Sequence, residues 1–155
     1  MKYKDLTTEE LEALEPEFVK YLAANTITAD DWLQIKKHEP TKTSQMISHF
    51  SELVFENILG NIEYLQFNSK EKIMIFHCKK DKLTSIIMEA PKEANPDFTN
   101  KDYFKQVQQN PPAGLKVYSV EKEYSKERNI ELFEMTEKGC FPTDDVMFKA
   151  LEKAL

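Results

Sequence analysis

Residues 62–90 read IEYLQF, NSKE, KIMIFHC, KKDK and LTSIIMEA in succession. Three short runs rich in Ile, Leu, Phe and Tyr alternate with two polar breaks, the pattern of strands joined by turns. We read a three-stranded antiparallel meander. Its middle run is apolar on both faces, Ile73 and Ile75 on one and Met74, Phe76 and Cys78 on the other. Such a strand should be covered on both sides, by helices or by a second subunit.

Upstream the periodicity becomes helical. Met46, Ile47, Phe50, Leu53, Val54 and Ile58 recur on one face, which predicts a core helix over about 43–59 with Gly60 as its stop. Nearer the N-terminus, Thr7 with Glu10 and Thr28 with Asp31 each make a capping box, stapled by the pairs Leu6–Leu11 and Ile27–Trp32. They predict helices near 8–24 and 29–38, the first broken around Glu15 by Pro16. Downstream, Thr99 with Asp102 repeats the box and starts a helix near 100–109, ended by Asn110-Pro111-Pro112.

After Gly114, Leu115 to Val120 can supply a fourth strand. Ser125 to Lys138 reads as a helix, with a strand at 130–136 as the competing reading. Gly139 supplies a left-handed stop there, with Cys140 packing back on Met135. Thr143 then caps a last helix, with Asp144 and Asp145 in its first turn. The expected fold is α+β: N-terminal helices packed on a small antiparallel sheet of three or four strands, with C-terminal helices covering more of it. A single domain over 1–155 is expected, helical to about 60, sheet-containing over about 61–124 and helical again from about 125. A chain of 155 residues buries about 68–70% of its unfolded surface, enough to need neither disulfide nor metal.

Charge and composition exclude several function classes. The net charge is −6, and residues 1–31 hold eight acids against three lysines. That surface repels phosphate, so no nucleic-acid partner is expected. Only three glycines occur, none close to another, which leaves nothing to cradle a dinucleotide. No apolar run approaches the roughly 20 residues of a membrane span, and no leader segment is visible. Two cysteines without a signal peptide suit a reducing cytoplasm. Twenty of the 21 basic residues are Lys, so Arg128 is the only place for a bidentate guanidinium clamp.

The candidates for chemistry are His77 and Cys140. His77 adjoins Cys78, but neighbours on a strand point to opposite faces and cannot share a proton or a metal. Cys140 is the better thiol, because it precedes a predicted helix N-terminus, where thiol pKa falls. Its place after Gly139 nevertheless favours a structural helix end, and Asp144 and Asp145 would oppose a thiolate. His49 and Glu52 form one His-x-x-Glu pair, but a di-metal bundle needs two, and His38-Glu39 lies at a helix end. No metal and no cofactor is expected. Trp32, Phe55, Phe98 and Phe141 could line a pocket or an interface, though their spacing favours core packing.

The opening Met1-Lys2-Tyr3-Lys4-Asp5-Leu6-Thr7 and the run Ile27-Thr28-Ala29-Asp30-Asp31-Trp32 carry a resemblance. So do Glu131-Leu132-Phe133-Glu134-Met135, Gly139-Cys140 and Phe148-Lys149-Ala150-Leu151. Taken together the chain resembles, over its full length, a family of Bacteroidetes proteins known as a domain of unknown function. The resemblance implies a bacterial cytosolic setting and brings no activity, cofactor or site residue; the Lys-for-Arg bias agrees with an AT-rich bacterial source. The functional expectation is a non-enzymatic interaction or regulatory module with a protein partner, itself or another, as a homo-oligomer. The alternative is a small thiol-dependent or ligand-binding enzyme centred on Cys140, with His77 or another histidine assisting.

Overall fold

Both N-terminal capping boxes close as the sequence predicts. In the computed structural model, which describes residues 2–155, the Thr7 and Thr28 hydroxyls accept from the Glu10 and Asp31 amides at 3.1 Å. The Glu10 and Asp31 carboxylates accept in return from the Thr7 and Thr28 amides at 2.9 and 3.1 Å. These boxes start helices α1 (Thr8–Ala13) and α3 (Ala29–His38), and the break before Pro16 separates α1 from α2 (Glu15–Ala24). Helix α4 (Pro40–Gly60) begins three residues earlier than expected. Proline serves well as a first helical residue, where no amide donor is needed and its fixed φ suits the helix. Gly60 ends α4 without a positive φ, so it is not the left-handed stop its position suggested.

The chain divides into two units, Met1–Gly60 and Asn61–Leu155. In the first, aromatic rings bind α2, α3 and α4 together. Phe18 meets Phe50 edge-on at 4.9 Å and Trp32 at 5.1 Å, and Tyr21 lies 5.3 Å from Phe50. The segment before α1 is tied to α4, because the Leu6 amide donates to Ser51 Oγ at 2.9 Å and Tyr3 donates to Glu56 at 2.6 Å.

The second unit holds strands β1 (Tyr64–Asn68), β2 (Lys72–Cys78) and β3 (Lys82–Glu89), the meander read from the sequence. Helix α5 (Lys101–Gln109), strand β4 (Lys116–Glu123), helix α6 (Arg128–Glu137), strand β5 (Phe141–Thr143) and helix α7 (Val146–Glu152) follow. The sheet runs β4-β3-β2-β1-β5 with every pairing antiparallel. The fold is thus α+β, with five strands among the described residues rather than three or four. The extra strand was hidden because it is three residues long and contains Pro142. Proline lacks a ladder donor, and an edge strand tolerates that.

Ile73, Ile75, Ile86 and Met88 share one face of the sheet, where Phe98, Val107 of α5 and Phe148 and Leu151 of α7 close the core. Leu65, Cys78 and Leu83 are buried on the other face. Helix α6 meets that side through Glu131, which accepts from Lys122, and through Gly139, which lies against Phe67. Coverage of the middle strand on both faces follows, and it comes at least in part from helices of this unit.

Three helix starts differ from expectation. Asn100 rather than Thr99 caps α5, accepting from the Asp102 amide, while the Thr99 hydroxyl turns to Asp97. Helix α6 begins at Arg128, and Ser125 instead donates to Glu131. Thr143 is spent in β5, so α7 begins at Val146, whose amide donates to the Asp144 carboxylate. The end of α6 is the one predicted: the Cys140 amide donates to Met135 O at 3.0 Å and the Gly139 amide to Thr136 O at 3.1 Å, a Schellman end. Gly139 has φ +110°, and a Cβ there would sit 3.3 Å from the Phe67 ring. Gly139→Ala should therefore cost about 1–2 kcal/mol, read as a lower urea midpoint at unchanged slope.

Candidate functional site

Both cysteines, the candidate Cys140 and the neighbour of the candidate His77, lie in settings that suppress reactivity. Cys78 is buried, and burial pushes its thiol up to about 12, with the Arg128 charge only partly opposing this. Its neighbour His77 points to the opposite face, as strand geometry requires. Cys140 is half-buried, and burial again raises its pKa against a weaker contribution from Lys138. The expected helix N-terminus is not beside it, because β5 intervenes before α7. Cys140 instead follows the C-terminal end of α6, the negative end of a helix dipole, which disfavours a thiolate. A reactive cysteine needs the reverse of these conditions.

His77 belongs to an aromatic stack. Its ring lies 4.5 Å from Tyr64 at an interplanar angle of 17° and meets Phe148 of α7 edge-on at 5.5 Å. Burial lowers its pKa, Lys79 lowers it further, and Glu63 and Glu152 oppose. The native state therefore binds a proton less readily than the unfolded chain, whose His titrates near the ordinary value. Stability is full above that value and falls as acid protonates the unfolded chain first. Urea titrations at about pH 7.5 and 5.5 should give a lower midpoint in acid, and His77→Phe, which keeps the ring and removes the titration, should flatten the difference.

Other polar groups are committed to structure. His49 pairs with the Tyr21 hydroxyl at 2.7 Å through Nδ1. Glu131 is 8% exposed, and burial would raise its pKa. Hydrogen bonds from Lys122 and Ser125, both 2.8 Å, outweigh this and hold it below the usual carboxylate range. Arg128 was singled out in the sequence only as the sole guanidinium. It donates from Nη2 to Ile62 O at 2.6 Å and Cys78 O at 3.1 Å, and from Nε to Lys79 O at 3.2 Å. Among the described residues no three His, Cys, Asp or Glu side chains gather as a metal site.

What the helical unit does present is a groove of about 750 Å³ formed by α1, α2, α3 and the turn between α2 and α3, with Ile47 of α4 also in its lining. Phe18, Leu22, Ile27 and Trp32 give it apolar walls, and Glu12, Glu15 and Lys36 are its only charged lining residues. Val19 and Leu33, also in the lining, are 56% and 54% exposed. Trp32 is therefore half pocket wall and half core, through its edge contact with Phe18. Of the other aromatics flagged in the sequence, Phe98 is core, Phe55 pairs with Tyr3 at 5.7 Å, and Phe141 is exposed. Periodicity could not separate these roles, because core and groove side chains lie on the same helical stripe.

An α+β protein with an apolar groove in a helical unit, and no assembled catalytic group in that groove, is the class defined by this geometry. The chain belongs to a family described as a family of unknown function (DUF6495), whose model matches residues 1–155. No curated protein and no solved structure matches it. No helix among the described residues is long and apolar enough to cross a membrane.

Proposed function

We propose that this chain is a cytoplasmic, non-enzymatic interaction module whose docking surface is the groove of α1–α3, taking a segment of another protein. The observation that carries the reading is the pair Val19 and Leu33, large aliphatic side chains left more than half exposed on the rim of an apolar groove. Scattered exposed aliphatics are ordinary, but a contiguous apolar recess with aromatic walls and a charged rim is what interfaces present. The raised thiol pKa values of Cys78 and Cys140 support a binding role over the thiol-enzyme alternative.

Trp32 is the only tryptophan and lines the groove, so its emission reports on its surroundings there. A helical peptide with a leucine face and a neutral glutamine face should shift that emission saturably. Leu33→Asp should weaken this binding at least about tenfold, since it puts a charge where the apolar contact forms. An emission spectrum unmoved by such peptides, whether their polar face is neutral, basic or acidic, overturns the reading.

A further inference from the structure

The groove's own chemistry narrows its occupant, an inference that rests on the docking surface just proposed. We infer that it takes a basic amphipathic helix.

The first argument is about backbone. The walls are helices, whose amides and carbonyls are already spent on one another except at their ends. An extended peptide docking here would find no strand edge to pair with, and its own amides would be left to water or desolvated. A helix arrives with its backbone satisfied and offers only side chains, at the i, i+3, i+4, i+7 spacing that fills an apolar recess. Leu22, Ile27 and Trp32 form the recess, and Val19 and Leu33 can close over the side chains inserted there.

The second argument is charge. Residues 1–60 carry eleven acids against six lysines, a net −5, whereas residues 61–155 carry sixteen against fifteen, a net −1. Nearly all the charge of the protein thus belongs to the unit that holds the groove. Within the lining, Glu12 and Glu15 outnumber the one cation, Lys36, whose ammonium lies 5.9 Å from the Trp32 ring centroid. Lysines or arginines flanking an apolar helix face would meet this rim with favourable potential, and acids would be repelled. A second copy of this chain is a poor occupant on the same ground, because it brings the same acidic helices.

The test uses the full-length protein and three synthetic helices of about 18 residues with one leucine face and a lysine, glutamine or glutamate polar face. Trp32 emission and the anisotropy of the labelled peptide are the readouts. The lysine-faced peptide should bind about tenfold tighter than the glutamine-faced one and lose most of that advantage between about 0.05 and 0.5 M salt. The double charge reversal Glu12→Lys with Glu15→Lys should invert the order of the lysine and glutamate peptides. If glutamine- and lysine-faced peptides bind equally, the basic occupant is wrong while the groove reading stands. If none of the three binds, the groove reading itself fails. If the protein alone self-associates in sedimentation and Leu33→Asp abolishes this, the occupant is a second copy and the inference is overturned.

Discussion

Arg128→Lys should lower the stability of the sheet-containing unit by about 3 kcal/mol, and Arg128→Ala by at least as much. The guanidinium reaches the backbone where the chain enters β1, at Ile62, and where it leaves β2, at Cys78 and Lys79. Its Nη1 also donates to Asn129 at 2.8 Å. Tyr124 donates to the same Lys79 carbonyl at 2.7 Å. These carbonyls lie at the ends of the β1–β2 ladder. A charged donor to a buried carbonyl contributes about 1.5–3 kcal/mol, and orphaning the acceptor costs a comparable amount. The bonds share one side chain and are not additive, so the sum is smaller than three separate losses.

Lysine keeps the charge but not the planar fork, and a single ammonium cannot span carbonyls on two chain segments. Urea unfolding followed by far-UV dichroism is the measurement, with a thermal midpoint lowered by roughly 10 °C at about 2–4 °C per kcal/mol. A loss below about 1 kcal/mol for both variants would show that the clamp is solvated and dispensable.

The Arg128 hub also marks where sequence reading stops. Helix boundaries at Thr7, Thr28 and Gly139 were legible because capping is local: donor, acceptor and strained glycine lie within a few residues of one another. The meander was legible because alternating runs and polar breaks are local too. The carbonyls of Ile62, Cys78 and Lys79 that Arg128 binds are 49 to 66 residues away in the chain, and nothing local announces them. Strand β5 failed for a related reason, since three residues including a proline become a strand only when β1 offers its free edge. Asn100 displaced Thr99 because two adjacent residues could both cap, and Asp97 captured the threonine hydroxyl.

The groove sits at the same boundary. Nothing local in the sequence marks Val19 and Leu33, and only the packed structure shows that they stand more than half exposed. Cys140 went the other way: its place after Gly139 was readable, but the apparent helix N-terminus beyond it dissolved into β5.

Two substitutions in the helical unit should separate folding from docking. Phe50 is 4% exposed and backs Phe18 and Tyr21, the rings that hold α2 against α4. Phe50→Ala should cost about 3–5 kcal/mol through lost contacts and the cavity left behind. It should loosen one wall of the groove without removing any apolar lining residue, because Phe18 loses its support while still in contact with Trp32.

Leu33→Asp works on the opposite face of that wall. With Leu33 54% exposed, the change should alter unfolding free energy by no more than about 0.5 kcal/mol, the usual range for surface substitutions away from structural features. Its effect on peptide binding should nevertheless be the larger of the two when measured at temperatures where both variants are folded, because it places a carboxylate in the apolar contact itself. Urea unfolding followed by Trp32 emission gives the first quantity and peptide titration the second. If Leu33→Asp were as destabilising as Phe50→Ala, Leu33 would be packing the unit rather than presenting a surface, and the rim would lose one of the two aliphatic residues on which the docking reading rests.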